Sequence, residues 1–370
     1  MSDKNNLDER ISKSVRDLKP YTVPSVKCRI RLDGNESPYN LSDVLAGNLS
    51  KSLSAVEINR YPDSSASELR QMISSQTGVP PEGIMLGNGS DELIQIIVEC
   101  FTGKSGCILV PRPTFSMYRI SGNVLGKEVI EVELDDSFDL DTIAIKGMID
   151  KKDPDIFFFA TPNNPTANRF SEDRIVDIID STSGIVVIDE AYFDYQGDSL
   201  LKLIEGNENV IVLRTVSKIG FASLRLGIML SNEIITRQVN KARLPYNINS
   251  ISLSVGSVIF ENMDLVNEKI EIIKKERERV SEALAGIRGI SVYPSDANFL
   301  LVDVGDSKKI FDELIKRDIL VRRLQGDERL HRCLRVTIGK PEENDELISA
   351  LSHIFLSQVD IIDKKNRKNK

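Results

Sequence analysis

Short runs without a single polar residue restrict this chain more than any other feature. "IFFF" (156–159), "IVVI" (185–188) and "VIVL" (210–213) are strand-length and wholly apolar. A strand with one wet face alternates polar and apolar residues. An uninterrupted run is buried on both faces, as in a parallel sheet covered by helices. Further candidate strands are Ile84–Leu86, Cys107–Val110, Val129–Val132 and Gly227–Leu230, and helical patterns such as Ser90–Cys100 and Ser171–Ser181 lie between them. The alternation predicts an α/β fold: a large domain over 45–250 with a mostly parallel, seven-stranded sheet covered by helices.

The pattern then changes. "DLVNEKIEIIKKERERVSEALAGI" places apolar residues at helical spacing on a charged background and predicts a long amphipathic helix. "ISVYPSDANFLLVDV", "ILVRRL" and "CLRVTIG" read as strands, and "SKKIFDELIKRD" and "ENDELISALSHIF" as helices. These predict a smaller α+β domain over 251–360. Residues 1–44 are expected to form an N-terminal arm and the start of that small domain. The basic run 361–370 is expected to be a disordered tail.

Composition removes several function classes. A net charge of −8 argues against a chain-wide nucleic-acid surface. No apolar run approaches the roughly 20 residues of a membrane helix. The opening "MSDKNNLDER" has no apolar core of a secretory signal. Cys28, Cys100, Cys107 and Cys333 show no zinc or disulfide spacing and read as reduced thiols, so a cytoplasmic protein is expected, with no metal. With only two histidines, His331 and His353, a His-based triad or metal cluster has little material, and a lysine is left as the leading general base.

In open α/β sheets ligands gather at the carboxyl ends of strands, and five candidate strand ends carry groups a plain loop does not need. Gly87-Asn88-Gly89-Ser90 opens a helix: an anion site at its N–H groups, or an ordinary cap. "ATPNNPT" presents the Asn164 amide in a stiff turn, or is a surface turn, and a cis Asn164–Pro165 bond is expected there. Asp189 ends an apolar strand, either as a helix cap or as a partner for a protonated ring nitrogen, with the Tyr192 hydroxyl three residues on. Pro111-Arg112-Pro113-Thr114-Phe115 follows another strand. Lys218 is either a solvated lysine or, near Arg225, a nucleophile for a carbonyl, while Ser217 and Arg225 suit a phosphate. A carbonyl, a phosphate and a ring nitrogen on one ligand describe pyridoxal 5′-phosphate.

"TPNNPT", "VVIDEAY", "RTVSKIGFASLRLG" and "LRVTIG", in this order, resemble the fold-type I pyridoxal-phosphate-dependent aminotransferases. Within that family "LDGNESPY", "RYPD", "GNGSDELI" and "PTFSMY" are most similar to the histidinol-phosphate aminotransferases. The likeness spans about residues 20–345. It implies that Lys218 bonds covalently to the cofactor and later shuttles the α-proton, and that Asp189 pairs with the ring nitrogen. Tyr192 and Asn164 would hold the ring's phenolic oxygen, and Phe115 would stack on its face. Ser90, Asp91, Ser217 and Arg225 would bind the cofactor phosphate, with Tyr61 reaching it from the second subunit of a homodimer. Asn35 and Arg335 would meet the substrate, helped by Arg322 and Tyr21. The implied reaction interconverts L-histidinol phosphate and 2-oxoglutarate with imidazole acetol phosphate and L-glutamate, a step of histidine biosynthesis. The same cofactor residues would also serve an aromatic-amino-acid aminotransferase or a phosphothreonine-type decarboxylase.

Overall fold

A computed structural model of the chain describes residues 10–16, 18, 20, 26–42 and 44–368, with side chains up to residue 356. Among the described residues twelve strands form two sheets. We number them β1 (Ile30–Leu32), β2 (Ile84–Asn88), β3 (Cys107–Arg112), β4 (Glu128–Glu133), β5 (Ile156–Ala160), β6 (Ile185–Asp189), β7 (Val210–Thr215), β8 (Leu226–Ser231), β9 (Ser291–Val292), β10 (Phe299–Asp303), β11 (Ile319–Arg323) and β12 (Cys333–Thr337).

The large sheet has the order β2-β8-β7-β6-β5-β3-β4. Strands β3 to β7 pair in parallel, while β8 is antiparallel to both β7 and β2. The expected seven-stranded, mostly parallel sheet is therefore present, with β8 alone reversed. The apolar runs are explained by the period of a strand, whose successive side chains point to opposite faces. Val186 and Ile188 of β6, with Val210 and Val212 of β7, enter one core; Val187, Ile211 and Leu213 enter the other. Helices bury both faces, so no position is left for a polar residue. Each such side chain contributes roughly 1.5–3 kcal/mol by leaving water.

The five-stranded sheet has the order β1-β11-β12-β10-β9. Only β1 and β11 pair in parallel. Of the stretch "ISVYPSDANFLLVDV", only its two ends are strands, because residues 293–298 form a loop carrying turn residues. The amphipathic helix Met263–Ala285 buries Val266, Ile270, Ile273, Arg277, Val280 and Leu284, the expected helical stripe. Helix Ser250–Glu261 packs on helices Ala46–Ser54 and Ser67–Thr77. The closing helix, Pro341–Lys368, takes in much of the basic run. Among the described residues no helix is long and apolar enough to cross a membrane.

Because β8 runs backwards, its first residue lies at the edge where β2, β3, β5, β6 and β7 end. That edge and the small sheet wall a cleft of about 810 Å³.

Candidate active site

Asp189 closes β6 at the floor of the cleft and is 3% exposed. Its Oδ1 accepts the Ala191 N–H at 3.0 Å, and its Oδ2 accepts the Tyr118 hydroxyl at 2.7 Å. Burial pushes its carboxyl up to about 6, although the Tyr118 and Ala191 donors pull the other way. Tyr118 did not stand out in the sequence. It lies 71 residues before Asp189, on the helix Met117–Val124, and no spacing relates the two.

Lys218 sits in a single 3₁₀ turn, Val216–Ile219, directly after β7. The Thr215 hydroxyl caps this turn by accepting the Ser217 N–H. The Tyr195 hydroxyl donates to the Lys218 carbonyl at 2.7 Å and fixes the backbone from which the side chain swings. Lys218 Nζ lies 5.6 Å from the centre of the Tyr192 ring.

Tyr192 is 4% exposed, and its hydroxyl accepts from Asn35 Nδ2 at 2.9 Å and Asn164 Nδ2 at 3.4 Å. Asn164 Oδ1 in turn accepts from Arg335 Nη1 at 2.8 Å, while Arg335 Nη2 donates to the Asp33 carbonyl at 2.6 Å. Asn35 stands in the left-handed region at φ 53°. Its backbone N–H donates to Thr337 Oγ1, and its carbonyl accepts from Asn298. Asn35 thus links the Tyr192 hydroxyl to the small sheet. The Asn164–Pro165 peptide is cis, as expected.

The helix Ser90–Phe101 begins beside the start of β8, and Arg225 lies between them. The Gly89 N–H donates to the Arg225 carbonyl at 2.6 Å, and Arg225 Nη2 donates to Asp91 Oδ2 at 2.9 Å. A Cβ on Gly227 would lie 2.4 Å from the Ser90 nitrogen, and one on Gly89 would lie 2.4 Å from Arg225 Nη2. Glycine at both positions lets the start of β8 and the Arg225 guanidinium lie against the start of this helix, which brings a cation beside helix N–H groups, as an anion site needs.

Ser217, Phe115, Asn35, Asn164, Arg322 and Arg335 also line the cleft. Phe115 meets the Tyr118 ring edge-on at 5.6 Å. Arg322 and Arg335 are partners across β11 and β12, so their side chains leave the sheet on one face. Tyr61 is not part of its own chain's cleft. It is 80% exposed and stacks on Tyr246 at 4.6 Å. Tyr21 lies outside the described residues. Arg31, Arg112 and Arg323 line the cleft too; Arg112 was named in the sequence only as part of the stretch after β3, and Arg31 and Arg323 not at all, since isolated arginines carry no signal.

The model of the family "Aminotransferase class I and II" matches residues 29–351. Histidinol-phosphate aminotransferase of Aquifex aeolicus is 40% identical over 350 residues, covering 94% of this chain and 98% of the relative. The crystal structure of histidinol-phosphate aminotransferase from Sinorhizobium meliloti in complex with pyridoxal-5′-phosphate superposes with a TM-score of 0.86 at 23% identity, covering 94% of this chain and 98% of that one. The fold also matches L-threonine-O-3-phosphate decarboxylase from Porphyromonas gingivalis, with a TM-score of 0.77 at 21% identity over 88% of this chain and 99% of that one. The fold is thus shared by a transaminase and a lyase, whereas the 40% sequence match is to an aminotransferase. By that match along nearly its whole length, the chain belongs to the class I and II aminotransferases and, within them, to the histidinol-phosphate aminotransferase family.

Proposed function

We propose that this chain transfers the amino group of L-histidinol phosphate to 2-oxoglutarate, giving imidazole acetol phosphate and L-glutamate, with pyridoxal 5′-phosphate as cofactor. The residues present fit that cofactor. The start of the helix Ser90–Phe101, against which glycines let Arg225 lie, suits its phosphate, and Asp189, a buried carboxylate held by two neutral donors, suits a cationic ring nitrogen. When bound, the cofactor supplies an aldehyde that takes up the amino group and a ring that withdraws the electron pair left at the substrate's α-carbon.

The chain's own residues do the rest. Asp189 keeps the ring nitrogen protonated. Tyr192 and Asn164 hold the phenolic oxygen, and Phe115 covers the ring face. The Ser90 and Asp91 N–H groups, Ser217 and Arg225 bind the phosphate. Lys218 Nζ holds the cofactor between turnovers, then carries the α-proton. Tyr61, exposed on its own chain, reaches the phosphate of a second subunit, so the working unit is a homodimer, and we place it in the cytoplasm. Residues 45–250 form the cofactor domain, and 251–360 with the start of the chain form the substrate wall.

The observation that carries the substrate assignment is the arginine pair. Arg322 and Arg335 leave one face of the small sheet at matched positions and line the cleft. With Asn35 they offer a fork for a distal oxyanion, which both the phosphate of histidinol phosphate and the carboxylate of 2-oxoglutarate possess. The test is a panel of amines with 2-oxoglutarate, following glutamate formation and CO2 release together. Glutamate with histidinol phosphate, and little with phenylalanine or tyrosine, is expected. CO2 release from a phosphorylated hydroxy amino acid would replace this reading with a decarboxylase, and preference for aromatic amino acids would replace it with an aromatic aminotransferase.

A further inference from the structure

We propose that Tyr118 is a positioning residue for Asp189: its hydroxyl decides on which partner the proton shared by Asp189 and the cofactor ring nitrogen resides. This rests on the cofactor reading above.

The geometry leaves the Tyr118 hydroxyl one aim. The side chain is fully buried. Its ring stacks on Phe158 at 5.1 Å and meets Phe115 edge-on at 5.6 Å, and its hydroxyl points at Asp189 Oδ2 from 2.7 Å. Burial, and then the neighbouring Asp189 charge, push loss of the phenol proton far above its ordinary range, so Tyr118 remains a donor. The Ala191 N–H occupies the other Asp189 oxygen. Two further charges bear on Asp189. Asp91, on the helix Ser90–Phe101, raises its proton affinity, and Lys218, after β7, lowers it. Arg225 is turned to Asp91.

A carboxylate that accepts two hydrogen bonds is a weaker base than one that accepts a single bond. With Tyr118 in place the shared proton stays on the ring nitrogen, and the ring is cationic. Without the hydroxyl, buried Asp189 competes for the proton. The pair then becomes a neutral acid hydrogen-bonded to a neutral ring. The ring is still held, but it withdraws electrons less well. Tyr118 therefore acts on ring protonation rather than on occupancy, and this separates its role from packing.

The test uses pyridoxine 5′-phosphate, which has the ring and the phosphate but no aldehyde, bound to apoenzyme. Its ultraviolet spectrum reports ring protonation as pH is varied. Tyr118→Phe keeps both aromatic contacts and removes only the donor. While the pair holds one proton, the ratio of cationic to neutral ring should fall by roughly 10- to 100-fold from the wild type, the size expected for one hydrogen bond to a charged group. In an Asp189→Asn background the same substitution should shift nothing. Identical titrations of wild type and Tyr118→Phe would overturn the proposal, as would a shift that persists with Asp189→Asn. If Tyr118→Phe does not fold, 3-fluorotyrosine at this position supplies a stronger donor and should raise the ratio of cationic to neutral ring; no change in that ratio would overturn the proposal. Failure of the wild type to bind pyridoxine 5′-phosphate would reject the cofactor reading itself, and this proposal with it.

Discussion

Asp189 and Glu190 are adjacent, both carboxylates, and both buried, at 3% and 0% exposure. Their surroundings differ completely. Glu190 points away from the cleft. Its Oε2 accepts Arg214 Nε at 3.0 Å and Nη2 at 2.9 Å, and its Oε1 accepts the Leu200 N–H at 2.6 Å. Ser199 adds its hydroxyl, and the Arg214 guanidinium lies 3.6 Å from the centre of the Phe193 ring. Every part of that charge is matched inside the chain, and the pair ties the end of β6 to β7. Asp189 points into the cleft and receives one N–H and one O–H, both neutral. Burying a carboxylate without a cation costs several kcal/mol. The contrast separates a charge that holds the fold from one kept for a ligand, although the two residues are consecutive.

The sharpest way to break the comparison is to neutralise each carboxylate in turn. Asp189→Asn should lower the single-turnover rate with histidinol phosphate by roughly a thousandfold while cofactor stays bound, because an amide cannot keep the ring nitrogen charged. A near-normal single-turnover trace would erase the functional half of the contrast. Glu190→Gln should do the reverse. It takes from buried Arg214 the carboxylate it bonds, with Asp194 left as a nearby acid, and should cost roughly 3–5 kcal/mol in urea unfolding. The absorbance of bound cofactor should hardly change. A large spectral change with little loss of stability would invert the assignment.

The same logic extends to two arginines on opposite walls. Arg335→Leu should weaken histidinol phosphate and 2-oxoglutarate alike, by roughly 2–5 kcal/mol each if the contact is buried and charge-assisted, with little effect on cofactor affinity. Arg225→Leu should loosen the cofactor phosphate instead. Half-reaction constants for both substrates, measured beside cofactor dissociation, decide the matter. Unchanged constants for both substrates in Arg335→Leu would remove the basis for preferring histidinol phosphate over an aromatic amino acid.

The smallest effect is one of pH. The Asp189 carboxyl, raised from 3.8 to about 6 in the folded chain, binds its proton more tightly than in the unfolded chain. Its contribution to stability is therefore largest below about pH 4, falls as pH rises to about 6, and is level above that. The loss for apoenzyme is at most about 3 kcal/mol. Melting curves of wild-type and Asp189→Asn apoenzyme across this window isolate the group from other carboxylates. The variant should gain on the wild type as pH rises, and bound cofactor should remove much of the gain. A constant difference from pH 4 to pH 7 would show that Asp189 carries no such strain.

Much of this molecule was legible before any coordinates. The apolar runs required a sheet buried on both faces, and the polar groups after them marked one edge of it, because strand ends in a parallel sheet share a side. Asp189, Tyr192, Asn164, Ser90 and Lys218 stood there as candidates with plainer readings beside them, and the structure brings all five to one cleft. Other features depend on how distant segments meet. Arg225 faces Gly89 only because β8 alone runs backwards, and an apolar run such as "GIML" has no direction. Tyr118 reaches Asp189, Asn35 reaches Tyr192, and Arg335 reaches Asn164 across 71, 157 and 171 residues. These contacts follow from strand order and from the placement of the small sheet over the large one. The apolar period along the chain, which is local, is enough to mark the strands and the polar groups at their ends. Which buried carboxylate keeps a counter-charge follows from how distant segments pack, because electrostatic pairing depends on distance in space and not on position along the chain.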